Sequence, residues 1–183
     1  LPFLRQHLGL PFKAVLAKGR SNYLCARRLA MTVRRAERVF SASREIEELL
    51  RLAEWAAATP AGSRQDIEFP VSEGVWQRVR AESGSCAGRQ CDYFGRCHLQ
   101  KARQEMRQAQ LLVVNHALLF ADLALRSGGA EQAELLGAYD LLVLDEAHTV
   151  ESVASDHFGG SVSSGQAQSL LRELYNPRND RGL

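Results

Sequence analysis

Four cysteines and one acidic run carry the chemistry this sequence can offer. Cys86, Cys91 and Cys97 follow one another as C-x4-C-x5-C, and Cys25 stands 61 residues upstream. Such a set can pair as disulfides, fill a core as small apolar residues, or hold a metal as thiolates. Disulfides belong to oxidising compartments, and the opening Leu-Pro-Phe-Leu-Arg lacks the basic stretch and apolar run of a secretory signal. Structural zinc favours paired C-x2–4-C knuckles, and only the Cys86–Cys91 gap is that short. Core thiols sit on apolar faces, whereas Cys86 lies in Ser-Gly-Ser-Cys-Ala-Gly and Cys97 follows Tyr93-Phe94-Gly95-Arg96. Small neighbours let backbone N–H groups approach sulfur, so the spacing favours a four-thiolate iron–sulfur cluster over its competitor, zinc. His98 adjoins Cys97 too closely to share one metal centre with it and reads as the start of a helix.

The second group is Asp145-Glu146-Ala147-His148, which follows the aliphatic run Leu141-Leu-Val-Leu144. A buried strand ending in Asp-Glu is the physical form of a Walker B element. The first carboxylate holds Mg²⁺ on the nucleotide phosphates and the second polarises the attacking water. Ala147 is small enough to fit against a sheet, and His148 is placed to relay the state of the γ-phosphate. The competing reading is a strand that merely ends in surface acids. No G-x4-G-K-[ST] phosphate loop accompanies these residues, and Gly19 and Gly62 do not begin one. This stretch by itself is therefore not expected to hydrolyse ATP, and an opening Leu in place of Met suggests a fragment or a processed chain.

The elements needed to position these groups are legible in outline. Phe12–Leu16 reads as a strand, followed by a turn over Lys18–Asn22. Apolar residues recur at helical spacing from Tyr23 to Ala58, broken near Ser41–Ser43, where Ser43 is the expected N-cap. Residues 60–100 are poor in aliphatics, bury little core of their own, and need something else to hold them. A helix is expected over His98–Ala109, then the strand Leu111–Val114, a helix His116–Arg126, a short helix after Gly128-Gly129, and the strand Leu141–Leu144. Two runs apolar at every position, separated by helix, read as buried parallel strands, which puts Asn115, His116, Asp145, Glu146 and His148 at their carboxyl ends. Residues 1–9 read as a helix end and Gly165–Tyr175 as a last helix.

Composition bounds the rest. The chain has 183 residues, 45% of them hydrophobic, and 23 basic against 21 acidic side chains. That excludes disorder, and the longest apolar run, Ala117–Ala121, is five residues, too short to span a bilayer. Residues 1–38 carry nine basic side chains and one acid, while residues 140–157 carry five acids and no Lys or Arg. Twenty of the 23 bases are Arg, the side chain suited to bidentate phosphate contacts. A basic block beside a cysteine group fits a nucleic-acid backbone, and a solvated helix face is the bland alternative.

Leu-Pro-Phe-Lys (10–13), Lys-Gly-Arg-Ser-Asn-Tyr-Leu-Cys (18–25), the C-x4-C-x5-C group, Val-Val-Asn-His-Ala-Leu-Leu (113–119) and Asp-Glu-Ala-His (145–148) stand in one order. Together they resemble the DinG branch of the XPD-type iron–sulfur DNA helicases of superfamily two. The resemblance implies an α/β fold: part of a RecA-like parallel sheet with an inserted, mostly helical iron–sulfur domain. It divides the chain into 1–24 and 110–150 of the first motor domain, 25–109 as the cluster domain, and 151–183 as the start of a helical arch or a tail. It implies an ATP-driven helicase moving 5′ to 3′, binding single-stranded and forked DNA as a monomer in the bacterial cytoplasm, with no membrane partner. On that reading Cys25, Cys86, Cys91 and Cys97 hold a [4Fe-4S] cluster. Asp145 takes Mg²⁺ with ATP, Glu146 activates water, and His148 couples hydrolysis to motion. Arg20, Tyr23, Arg27 and Arg28 are the expected DNA contacts, joined by Arg34, Arg35, Tyr93 and Phe94, and shielding of the cluster from water is the competing role for Tyr23 and Phe94. A zinc-stapled interaction module and a non-hydrolysing helicase relative are the competing readings.

Overall fold

The computed structural model describes Phe3, Gln6, His7, Gly9, residues 11–127 and 135–158, and the backbone of Tyr175–Asn176 and Arg181–Gly182. Strand β1 (Ala14–Leu16) lies parallel to β2 (Leu111–Val113), with Ala14, Val15 and Leu16 opposite Leu111, Leu112 and Val113. More than ninety residues leave and re-enter this pair between its two strands. The body they build is helical: α1 (Ala26–Val33), α2 (Ala36–Val39), α3 (Ser43–Ala58), α4 (Glu73–Val79) and α5 (His98–Arg107). After β2 come α6 (His116–Ser127) and α7 (Val150–Phe158). The architecture is mixed α/β with a small parallel sheet.

Among the described residues three apolar clusters hold these parts. The largest joins Leu24 and Leu29 to Phe40, Leu49, Leu52, Val75, Trp76 and Val79. A second packs Ala17, Met106, Leu119 and Leu136 beside the β1–β2 pair, and a third joins Tyr23, Ala81 and Leu99. The chain just after β1 pins the helical body in place. Lys18 Nζ donates to Ser63 Oγ (2.7 Å), Trp76 Nε1 donates to the Ser21 carbonyl (3.0 Å), and Tyr23 and Leu24 bridge Ser63 and Arg80.

Several expectations need correction. Residues 60–100 contribute more than a loop: α4 supplies Val75, Trp76 and Val79 to the main core. Its apolar residues are few but spaced three and four apart, enough to fill one helix face. Ser43 is the first helical residue and Ala42 holds the cap position, with no side-chain cap; the helix start instead places Glu45 in its first turn. Arg34-Arg35 break the preceding helix in two.

The largest departure is Leu141–Leu144, which forms no strand; Leu141 and Val143 are each 81% exposed. An all-apolar parallel strand is stable only with neighbours in the sheet and cover on both faces. Among the described residues the parallel sheet stops at two strands, whose Leu16 and Val113 also face outward. The short helix expected after Gly128-Gly129 lies largely outside the described residues; 135–140 are non-helical. Of residues 1–9, Phe3, Gln6 and His7 are helical. The expected Gly165–Tyr175 helix lies outside the described residues except Tyr175, which pairs antiparallel through Tyr175–Gly182 and Asn176–Arg181.

Candidate functional site

Asp145, Glu146 and His148 lie together on an exposed turn that enters α7. Glu146 adopts φ +50°, ψ +42°, a left-handed conformation that costs a residue with a Cβ about 1–2 kcal/mol. Local bonds hold it there. Its N–H donates to Asp145 Oδ1 (2.9 Å), and its carbonyl accepts from both the N–H and the Oγ1–H of Thr149 (2.9 Å each). His148 Nδ1 sits 3.4 Å from Glu146 Oε2, with both side chains exposed.

The end of β2 reaches the same turn. Asn115 caps α6, its Oδ1 accepting the Leu118 N–H (2.9 Å). His116, the first residue of α6, places Nδ1 3.0 Å from Thr149 Oγ1. The structure brings His116 to the acidic turn, although the strand Leu141–Leu144, on which the expected strand-end placement of Asp145, Glu146 and His148 rested, does not form. Thr149 escapes the sequence reading; its signal is a hydroxyl three places after Glu146, a spacing that bonds back to the backbone. Asp122 escapes it too. Fully buried, it accepts from the Leu135 and Leu136 N–H groups and from Arg126 Nε, fixing the approach to the acidic segment.

All four cysteines are free thiols. Cys25 and Cys97 pack, half-buried, on the Tyr23–Ala81–Leu99 cluster. Cys86 and Cys97 both act electrostatically on the half-buried Arg103 of α5, whose pKa is lowered by burial first and by Arg20 and Arg107 after it. Two turns, Gly88–Gln90 and Phe94–Arg96, fold the cysteine loop against itself and carry Cys91. Among the described residues no three Cys, His, Asp or Glu side chains close into a metal-holding group. Cys25 and Cys97 meet on one apolar cluster while Cys86 and Cys91 stand on the loop before α5, so it is the chemistry of the donor set, four thiols, that suits a four-thiolate centre.

The expected DNA contacts divide. The Tyr23 ring is 5% exposed, and burial, then Glu105 and Asp66, raises its pKa. Arg28 is committed to the carbonyls of Gln77 and Arg78 and to the Glu82 carboxylate. Arg27 donates to the Ser85 carbonyl (3.1 Å) and Arg20 is half-buried beside Arg103. Arg34 and Arg35 are exposed at the α1–α2 break, and Tyr93 carries the Arg96 guanidinium 4.6 Å over its ring. A cleft of about 680 Å³ opens along α5, lined by Phe94, Arg96, His98, Lys101, Gln104 and Arg107 among others and by no acid. Burial, and then Lys101, lowers the His98 pKa, so that ring sits neutral in the cleft wall.

No family model matches the chain. It is 32% identical over 175 residues, 95% of its length, to the ATP-dependent DNA helicase YoaA of Haemophilus influenzae. It is also 32% identical over 178 residues to the YoaA of Escherichia coli. The ATP-dependent helicase DinG of Mycobacterium tuberculosis is 31% identical over 184 residues and matches 91% of the chain. The chain spans only about a quarter of these relatives, 27% and 26% of their lengths. Over the stretch it covers, the chain is similar to a segment of the ATP-dependent helicases YoaA and DinG.

Proposed function

We propose that this chain is the part of an ATP-dependent DNA helicase that carries its Walker B acids and a [4Fe-4S] domain inserted into a RecA-like sheet. The observation that carries the reading is the end-to-end similarity to helicases, joined to the meeting of β2's end with Asp145–Thr149. Asp145 holds Mg²⁺ on the nucleotide, which screens the phosphate charge. Glu146 orients the attacking water and takes its proton, and His148, 3.4 Å from the Glu146 carboxylate, couples hydrolysis to motion. Cys25, Cys86, Cys91 and Cys97 bind the cluster, whose thiolate bonds tie the start of α1 to a loop with little core of its own.

Single-stranded DNA runs along the α5 cleft. Phe94 offers a face for base stacking, worth about 1–3 kcal/mol per base, while Arg96, Lys101 and Arg107 meet phosphates. Arg20 and Arg27 extend that basic path; the enclosed Tyr23 and the ion-paired Arg28 serve its walls. The protein moves 5′ to 3′, opens forked duplexes, and works as a cytoplasmic monomer.

The test is iron, sulfide and zinc analysis of protein purified without oxygen, alongside unwinding of forked duplexes with 5′ or 3′ tails by the full-length protein. About four irons and four sulfides per chain, lost in Cys91→Ser, with unwinding from the 5′ tail abolished by Glu146→Gln, is the expected result. One zinc without sulfide overturns the cluster assignment in favour of a zinc staple. Absent ATP-dependent unwinding in an iron-loaded protein overturns the motor assignment.

A further inference from the structure

Glu146 is held in a strained backbone conformation, and its carbonyl is the point where the strain is tied down. Both bonds to that carbonyl come from Thr149, one from N–H and one from Oγ1–H. A hydroxyl has a single hydrogen. With that hydrogen given to the Glu146 carbonyl, Thr149 Oγ1 can only accept from His116 Nδ1, 3.0 Å away. The tautomer that satisfies both bonds carries its hydrogen on Nδ1. The bonds also link the first residue of α6, three residues past the end of β2, to the backbone of the acidic turn. Packing supports the link, since α6 and α7 lie against each other with Phe120 edge-on to Phe158 at 5.9 Å between ring centroids.

We propose that His116 is a positioning residue for Glu146, acting through Thr149 Oγ1 to hold the glutamate backbone in its left-handed conformation and so aim its carboxylate. The proposal rests on the reading of Glu146 as the water-activating group. His116 needs no contact with nucleotide for this; its lever is the geometry of a neighbouring turn. Because strained residues persist only where surrounding bonds over-determine them, loss of one anchor lets Glu146 relax and its carboxylate wander. A carboxylate misplaced by a fraction of an ångström lowers the rate of the chemical step while leaving nucleotide binding in place.

Two measurements test it. In the chain itself, the ring ¹⁵N shifts of His116 are expected to report hydrogen on Nδ1 in the wild type and a shift towards Nε2 in Thr149→Val. A ring carrying its hydrogen on Nε2 in the wild type overturns the proposal. In the full-length protein, His116→Ala and Thr149→Val are each expected to lower the kcat of DNA-stimulated ATP hydrolysis about tenfold with KM for ATP unchanged. The double variant should be no slower than either single one. His116→Asn, which returns a donor near Nδ1, and Thr149→Ser, which keeps the hydroxyl, should recover most of the rate. Wild-type rates in His116→Ala, additive losses, or no recovery in both conservative variants overturn the relay alone. A wild-type protein that binds ATP and does not hydrolyse it overturns the motor reading and the proposal with it.

Discussion

Two single residues show how local chemistry sets the frame around the site. Gly62 has φ +59°, and a Cβ built on it would stand 2.3 Å from Cγ of His98. Its carbonyl accepts the Leu24 N–H (2.9 Å), so this turn joins the chain after β1 to the start of α5. Gly62→Ala combines a left-handed backbone penalty with steric overlap and is expected to cost about 2–4 kcal/mol. Urea unfolding followed by circular dichroism reads it, and a loss of only about 1–2 kcal/mol would mean His98 swings aside at no cost and leaves the backbone penalty alone. Glu48 makes the complementary point with charge. Buried on α3, it accepts the Ser72 N–H at the start of α4 (2.8 Å), and that bond first, with help from Arg44, holds its carboxyl below the usual range despite burial. A depressed carboxylate pKa adds stability that is present above the unfolded value, near 4.3, and is lost as pH falls through the folded value. Glu48→Gln should therefore be less stable than wild type at pH 7, with the gap closing below about pH 4. A gap that stays constant from pH 7 to pH 3 would assign Glu48 a packing role only.

At the scale of elements, helices with long apolar periodicity are legible in the sequence and those that depend on distant partners are not. α3 and α6 announce themselves because their own stripes of Leu, Ile and Phe repeat along several turns. α4 does not: Val75, Trp76 and Val79 span barely one turn in a stretch poor in aliphatics, and their burial comes from α1 and α3 packed over them. Trp76 is nearly fully buried and its Nε1 is satisfied by the Ser21 carbonyl. Trp76→Ala should cost about 3–5 kcal/mol, and Trp76→Phe less, since it keeps apolar volume and loses one hydrogen bond. Equal losses for both, read by the same urea unfolding, would mean the indole N–H, and not the ring, fixes α4. Leu141–Leu144 errs in the opposite direction. Its composition is that of a central strand, yet pattern alone cannot supply the neighbouring strands that such a segment needs. Strand ends are the better guide to the site, since β2 delivers His116 to the acidic turn. Thr149 and Asp122 are harder to see because much of their role lies in bonds to backbone groups, for which a hydroxyl three places after Glu146 is only a weak signal.

Charge acts over the whole molecule, and here its distribution matters more than its sum of +2. The acids of residues 140–157 lie on the segment that carries the acidic turn, while the α5 cleft is lined by cations and aromatics with no acid. A polyanion following the cleft avoids the acids and meets Arg96, Lys101 and Arg107 in succession. Counterion release then makes binding steeply salt-dependent, and on a single strand each phosphate left without its cation reduces the slope by about 0.7. Lys101→Glu with Arg107→Glu should weaken binding of a labelled single-stranded oligonucleotide and flatten its salt dependence by about 1.4 in the logarithmic slope. Neither side chain carries the fold: Arg107 is exposed at the end of α5, and Lys101 makes one exposed bond, to the Pro60 carbonyl (3.2 Å). The matched variant is Arg38→Glu on α2, equally exposed and equally reversed in charge but off the cleft. If binding follows only net charge, that variant lowers affinity and slope by about half as much as the pair. If the strand follows the cleft, Arg38→Glu leaves both nearly intact, and Phe94→Ala weakens binding while leaving the salt slope unchanged, because stacking releases no counterions.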